Sequence, residues 1–390
     1  KRTWRRKPSL KMDLPKFEDH FKQLKFNLWS MGMPYGDFKI HLRYYVLGFS
    51  LCLMIVEEGA FLLTSIDFLE ITVLTACWCI GVLSALKIAI LTFKRRKFYK
   101  LTENLKRLYE VIENDPRKRE VVRPQAMSLS RFITFYFVVN AALIVIYNFS
   151  TMIVVIVNFL RYHEFEYSLP YAILLPFEID SFPIWGAVYA HSAISGIICV
   201  LYFTTCDILY CVLTTHICAN FAVISDKLEN LQVADITSLK QAIKDHQYVL
   251  QLSNDLEDIF TAPNLLNVLI GSIEICLSGF NLTMGELSKI PGVLIFLSSV
   301  ILQILLMSVF GENLITQSSR IGQAAYNCKW YEMDKKSQKI ILILLSRPQT
   351  LTAYKFSVIS YGSFSKIIST SWSYFTILRT VYTPPESLQN

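Results

Sequence analysis

The side chains able to do acid–base or coordination chemistry are scattered through this chain. Six histidines stand at positions 20, 41, 163, 191, 216 and 246 with no shared metal-ligand spacing. The sequence holds no His-Glu-x-x-His pair, no Cys-x-x-Cys, no phosphate-cradling Gly-rich loop and no Gly-x-Ser-x-Gly elbow. No catalytic constellation, metal site or cofactor is expected, and the chain does not read as an enzyme. The informative groups are charges set within apolar runs: Glu57, Glu58, Lys87, Asp207, Glu274, Glu312 and Lys366. A charge near the centre of a membrane helix costs about 2.5 to 3.5 kcal/mol on insertion scales, so each needs a partner, water or a place near a helix end.

Composition says which elements carry these groups. Of 390 residues 53% are apolar and only 18% charged, below the roughly 25% charged of a soluble domain. The mean hydropathy is +0.39. Apolar stretches long enough to cross a bilayer run from about 44 to 64, 71 to 93, 132 to 159, 183 to 213, 264 to 284 and 292 to 311. A seventh, 351 to 381, is rich in Ser and Thr and carries a Lys, the composition of a helix that lies inside a bundle or lines water. The expected fold is all-α and polytopic, with seven spans. On these spans Lys87 lies close enough to an inner end to snorkel, and Asp207 and Glu312 come late enough to have emerged. Glu57, Glu58 and Glu274 are deeper, with a structural or a ligand role open to each.

Basic residues set the expected orientation. Residues 1–43, 94–131, 222–263 and 312–355 hold 33 of the 38 Lys and Arg, and these are alternate connections. The positive-inside rule then places the amino terminus in the cytoplasm and, after seven spans, the carboxyl terminus outside. The net charge of +7 is therefore an orientation signal, since nucleic acid would not be gripped by basic loops separated by spans. No apolar run long enough for a signal-peptide core precedes Tyr44, so no cleaved secretory signal is expected. Eight of nine cysteines fall in or at the ends of apolar segments, which excludes a disulfide-stapled ectodomain. The sequons at Asn148 and Asn281 lie inside hydrophobic segments and are not expected to carry glycans.

The connections add two expectations. Apolar residues recur at helical spacing over 222–262, from Ile224 and Leu228 to Leu256 and Ile259, and again over 339–345. Such stripes suit either a cytoplasmic bundle for subunit association or packing within the chain. The outer connection 160–182 carries Glu164, Glu166, Glu178 and Asp180 against Arg161, an acidic rim or simply a solvated loop.

The last seventy residues carry a family resemblance. In order they read Ser318-Ser319-Arg320-Ile321, Ala325-Tyr326, Trp330-Tyr331, Leu344-Leu345-Ser346-Arg347-Pro348-Gln349 and Ser371-Trp372-Ser373-Tyr374-Phe375-Thr376-Ile377-Leu378-Arg379. The last run is similar to the Ser-Tyr-Ser-Tyr-Phe-Thr-Leu-Leu ending of insect odorant receptors, with Trp372 and Ile377 as departures. The Thr-Tyr and Gln-Phe ending of gustatory receptors is missing. The olfactory co-receptor carries a large insertion between spans four and five that this chain lacks, so the chain resembles a ligand-selective tuning subunit.

The resemblance implies a tetrameric cation channel in which each subunit gives its last helix to a pore and its cytoplasmic helices to an anchor. It divides the chain into a cytoplasmic segment (1–43), six spans (44–311, with 222–262 as a cytoplasmic extension), anchor helices (312–350), and a pore helix with a short outer tail (351–390). Pore positions are then Lys366, Ser373, Tyr374, the gate residue Ile377, and Thr380 at the outer mouth. An odorant pocket in the outer half of spans two to six would draw on Trp78, Tyr147, Thr151, Met152, Tyr189, His191, Phe280, Phe296, Ser299 and Gln303, each of which helix packing also explains. Their aromatic richness suits a small volatile aromatic ligand. Implied partners are the olfactory co-receptor in a heterotetramer, the odorant, membrane lipid and permeant cations, at the plasma membrane of olfactory neurons. The competing functions are a gustatory-type homomeric channel, a G-protein-coupled chemoreceptor, which needs an external amino terminus, and a secondary transporter, which needs repeats that are not visible here.

Overall fold

A computed structural model describes residues 14–381 except 37–38, 164, 166, 233–234, 286–289, 345–351 and 354–356. The acidic-rim residues Glu164 and Glu166 and the Leu345-to-Gln349 part of the carboxyl-terminal pattern lie outside the described residues.

The chain is helical almost throughout: α1 (Phe17–Ser30), α2 (Leu42–Thr64), α3 (Phe68–Phe93), α4 (Arg95–Glu113), α5 (Pro116–Tyr162), α6 (Phe182–Glu229), α7 (Ile236–Met284), α8 (Ile290–Asn327), α9 (Lys335–Leu344) and α10 (Tyr361–Val381). The exceptions are a 3₁₀ turn at Trp330–Glu332 and two antiparallel two-residue strands, β1 (Thr352–Ala353) and β2 (Ser357–Val358). Among the described residues, six helices, α2, α3 and α5 to α8, are long and apolar enough to cross a membrane. Large apolar side chains left exposed on α2 and α5, such as Phe49, Val56, Phe149 and Ile153, face where lipid would lie.

Helices α5, α6 and α7 have 47, 48 and 49 residues. At 1.5 Å per residue each is about 70 Å long, more than twice the roughly 30 Å hydrocarbon core. Spans and connections that hydropathy separates are thus single rods. The sequence marks their ends: the Asp115 carboxylate accepts from the amides of Arg117 and Lys118, with Pro116 at the first helical position. At the other end His163 takes a left-handed conformation (φ 56°) and its amide donates to the Phe159 carbonyl.

α6 runs through the middle and is the most buried of the six. Beyond the apolar spans it is wrapped by α1, α4 and the ends of α5, α7 and α8, in what we term the basic end of the bundle. Phe21, Leu24, Leu28, Leu105, Phe221, Leu228, Leu252 and Leu256 form its core. The 222–262 stripe is therefore used for packing within the chain. Exposed ion pairs join neighbouring helices at this end, Arg117 to Asp226 (2.8 Å), Lys97 to Asp258 (2.6 Å) and Lys106 to Glu18 (2.9 Å). Screened by water, they set alignment more than stability.

A buried imidazole pair pins α1. His20 Nε2 donates to the Ala126 carbonyl (3.2 Å), which leaves Nδ1 to accept from His216 Nε2 (3.3 Å). Phe17 and Tyr109 close over His216 at centroid distances of 4.7 and 4.9 Å. Burial pushes both histidines below the ordinary value of 6.5, and their mutual repulsion lowers His216 further. Below pH 6.5 the unfolded chain takes up protons that the folded chain refuses, so this stability is complete above 6.5 and is lost as pH falls. The purified receptor is expected to show a lower Tm at pH 5.5 than at 7.5, with up to about 1.4 kcal/mol lost per histidine per pH unit. His216→Phe should flatten that dependence, and an equally steep decline in the variant would contradict this assignment.

Candidate functional site

Toward the opposite end, where α2 meets α3 and α6 begins, α2, α3, α5, α6 and α8 line a cavity of about 560 Å³. That size falls within the range of small-molecule sites. Leu51, Ile80, Leu143, Ile144, Phe203 and Ile295 supply apolar wall, and a few polar groups converge among them, including Glu58, Asn140, Ser299 and Gln303.

One side of the cavity is closed by a connection. Tyr171, from the segment between α5 and α6, turns inward and lies beside Tyr147, the ring centroids 5.2 Å apart and the planes tilted by 43°. Its hydroxyl lies against Gly196, where a Cβ would collide with the ring, so the absent side chain on α6 is what admits the tyrosine. The segment is held from behind by the Leu174 amide donating to the Glu57 carbonyl (3.1 Å) and by Trp185 Nε1 donating to the Ser168 carbonyl (3.0 Å).

The cavity floor is tied to a buried ion pair. Lys87 Nζ donates to Asp207 Oδ1 at 2.7 Å, with the lysine side chain only 1% exposed. Asp207 Oδ2 accepts from the Tyr136 hydroxyl (3.0 Å) and from Gln303 Nε2 (3.3 Å), both of which line the cavity. Gln303 Nε2 also donates to Asn267 Oδ1 (3.0 Å), and Asn267 Nδ2 to Met307 Sδ (2.8 Å). The Lys87 ammonium stands over the Phe203 ring at 4.1 Å, a cation–π contact with a cavity wall. Asn267 and Met307 border a small gap against Ile359, Ser363 and Ile367, so the chain of polar contacts runs from the cavity to Met307 and ends across that gap from the base of α10. Lys87 and Asp207 therefore do not escape to the membrane edge as their positions led us to expect. They neutralise each other inside the bundle, because two charges in contact replace hydration that neither could reach.

α10 is docked along one face only. Ile367, Ser371 and Phe375 are buried, with the Ser371 hydroxyl donating to the Ser272 carbonyl (3.1 Å) and Phe375 lying over Gly279 of α7. Glu312 of α8 accepts from the Tyr361 amide (3.2 Å) at the start of the helix. Lys366, Ser373, Ile377 and Thr380, spaced by seven, four and three, share the opposite face and are exposed, and Tyr374 is exposed at its side.

The pattern of the 7tm Odorant receptor family matches residues 64–372. The chain belongs to that family. It is 28% identical over 369 residues to Odorant receptor 13a of Drosophila melanogaster, covering 87% of each chain. To Putative odorant receptor 92a of the same fly it is 26% identical, covering 93% of each. Its fold is similar to that of olfactory receptor OR5 from the insect Machilis hrabei, solved in complex with eugenol, with a TM-score of 0.81 at 14% identity over 94% of this chain and 99% of that one. At that identity the likeness concerns the fold alone. It makes α10 the seventh spanning helix of a seven-helix, all-α multi-pass membrane protein. The family is one of receptors and not of enzymes.

In this receptor, four of the ten pocket residues singled out in the sequence, Tyr147, Phe296, Ser299 and Gln303, line the cavity. The other six stand elsewhere. Trp78 turns its Nε1 to the Ile55 carbonyl (3.0 Å) and covers Gly59. Met152 and Tyr189 belong to a separate cluster with Val155 and Trp185, and the Tyr189 hydroxyl donates to the Asn148 carbonyl. Thr151, a turn beyond Tyr147, is half-buried off the cavity. His191 faces Glu57 (Nε2 to Oε2 3.4 Å), and Phe280 is core, edge-on to Phe68. Span five adds nothing to the lining and span one, α2, adds Leu51, Met54, Ile55 and Glu58. The cysteines are all free, and Asn148 and Asn281 are buried, Asn281 accepting from Thr72.

Proposed function

We propose that this receptor is the ligand-selective subunit of an odorant-gated, non-selective cation channel, working with the olfactory co-receptor in a heterotetramer at the plasma membrane of olfactory neurons. The observation that carries the reading is the cavity of about 560 Å³ lined by spanning helices, from which Tyr136, Asp207, Gln303 and Asn267 form a chain of contacts to Met307 beside the base of α10. On this reading the amino terminus is cytoplasmic, the cavity lies in the outer half of the membrane, and the open face of α10 meets the other subunits around a pore.

A volatile, largely apolar ligand enters the cavity and gains by leaving water, at about 25 cal/mol per Å² buried. Tyr147, Tyr171 and Phe296 offer ring faces and edges to an aromatic ligand. For binding to open the channel, the ligand must favour the open state over the closed one. The Gln303 and Tyr136 side chains provide the means, since each touches the ligand space and Asp207 at once. Ile377, exposed on the free face of α10, is placed to form with its counterparts an apolar ring that closes the pore by dewetting.

The test is to record currents evoked by a broad odorant panel in cells expressing this chain alone, the co-receptor alone, and both. The reading predicts an odorant-evoked cation current only with both. Surface expression of both chains without any evoked current would overturn it.

A further inference from the structure

Among the described residues, the carboxylate that lines the cavity has no hydrogen-bond or ion-pair partner. Glu58 is 9% exposed and projects from α2 toward α3, its Oε2 3.9 Å from where a side chain at Gly81 would begin. No side chain or backbone group among the described residues hydrogen-bonds it, and no Lys, Arg or His lines the cavity. Its neighbours are accounted for differently. Glu57, one position earlier, faces His191, and Lys87 is held by Asp207 at the far side of the site. The carboxylate thus stands in a largely apolar cavity with neutral polar groups but no described cation beside it, where an isolated charge is costly and a charged hydrogen-bond partner correspondingly favoured.

We propose that Glu58 is the anchor for a ligand nitrogen, so that the cavity selects small volatile amines, alkyl- or arylalkylamines, over their neutral isosteres. This rests on the odorant-gated reading above and deepens it. An ammonium group brings three donors to an acceptor-only carboxylate. The faces of Tyr147 and Tyr171, in the same cavity, offer the second kind of contact a cation makes in a desolvated site. The hydrocarbon body of the amine then occupies the space between Leu143, Ile144 and Ile295. Gly81 is part of the device, since a side chain there would meet Ile55 and narrow the approach to the carboxylate. A neutral ligand fills the same volume and leaves Glu58 without a counter-charge, and that difference is the source of the selectivity.

The experiment is a set of dose–response curves in cells expressing this chain with the co-receptor, using matched probes: phenethylamine against 2-phenylethanol and propylbenzene, and isoamylamine against isoamyl alcohol. The expected result is an EC50 at least about tenfold lower for the amine of each set, the equivalent of 1.4 kcal/mol. In Glu58→Gln the ratio of neutral to amine EC50 should collapse toward one, and in Glu57→Gln it should persist. Should Glu58→Gln fail to reach the surface, Glu58→Asp, which keeps the charge on a shorter arm, is expected to give an intermediate ratio. Neutral probes that match or exceed the amines in the unmodified receptor, or an amine preference that survives Glu58→Gln or is untouched in Glu58→Asp, would overturn the inference and leave the channel reading standing. Silence toward every probe and toward the wider odorant panel, with both chains at the surface, would overturn both.

Discussion

Asp207→Leu is expected to remove most of the receptor from the cell surface, and Lys87→Met in the same chain to bring it back. The single substitution leaves the Lys87 ammonium buried at 1% exposure with its 2.7 Å partner gone. It also strips an acceptor from Tyr136 and one from Gln303. Breaking a buried ion pair by removing one partner costs about 3 to 5 kcal/mol, a large share of the roughly 5 to 15 kcal/mol that holds a typical fold. Replacing both partners by apolar side chains is frequently neutral, because the desolvation of two charges disappears together with their attraction. Surface biotinylation and Tm in detergent would read the result. Normal surface levels in Asp207→Leu alone would mean that water or a second carboxylate, such as the buried Glu274, serves Lys87 equally well. The restored double variant carries a second consequence. Its cavity is kept but the link from Tyr136 and Gln303 through Asp207 is cut, so odorant-evoked current should fall while surface expression recovers.

The second large effect is expected at Ile377. With the docked face of α10 fixed by Ser371 and Phe375, Ile377 stands 59% exposed on the opposite side, in line with Ser373 and Thr380. Placed around a pore, an isoleucine ring excludes water and thereby ions. Ile377→Ser hydrates the constriction without disturbing the α7 contact and should raise the odorant-free current by about tenfold, the effect of 1.4 kcal/mol on the closed-to-open balance. Trp372→Ser, off that line of residues, should leave the odorant-free current unchanged. The measurement is the holding current blocked by a pore blocker, normalised to surface expression. An odorant-free current equal to that of the unmodified channel would remove Ile377 from the gate.

What could be read from the sequence follows the range of the forces involved. Six spanning helices were legible because burial in lipid needs some twenty consecutive apolar residues, a local signal. α10 was the faintest of the seven by this signal, since Ser369, Thr370, Ser371 and Ser373 dilute its hydropathy, and the Ser371-to-Arg379 pattern marked it more sharply. The 222–262 stripe reads as an extension of spans four and five, whereas the continuity of α5 was hidden because Pro124 and the change from polar to apolar residues look like a boundary; Pro124, like Pro263 in α7, sits inside its helix. The site was harder, because its contacts are distant in sequence. Lys87 and Asp207 are 120 residues apart, and each alone reads as a charge seeking the membrane edge. Pairing the opposite charges of spans two and four was the available clue. Tyr171 had no signal of its own, for it comes from a connection, where an aromatic residue ordinarily needs no explanation. Aromatic type alone selected Trp78, Tyr189 and Phe280, whose rings the structure uses for packing between helices and for closing the bundle.

The central claim, that ligand in this cavity opens the channel, is tested most directly by filling the cavity. Ser299 lines it from α8, its hydroxyl donating only to its own helix at the Phe296 carbonyl (2.7 Å), so a larger side chain can extend into the space without orphaning a partner. Odorant dose–response curves would be compared for the receptor and for Ser299→Trp, each with the co-receptor, alongside an agonist acting on the co-receptor. The account predicts that Ser299→Trp loses its odorant-evoked current, with an EC50 raised at least about a hundredfold or beyond reach, roughly 2.7 kcal/mol, while the co-receptor agonist still opens the channel. Unaltered odorant sensitivity in Ser299→Trp would contradict it and place the ligand elsewhere.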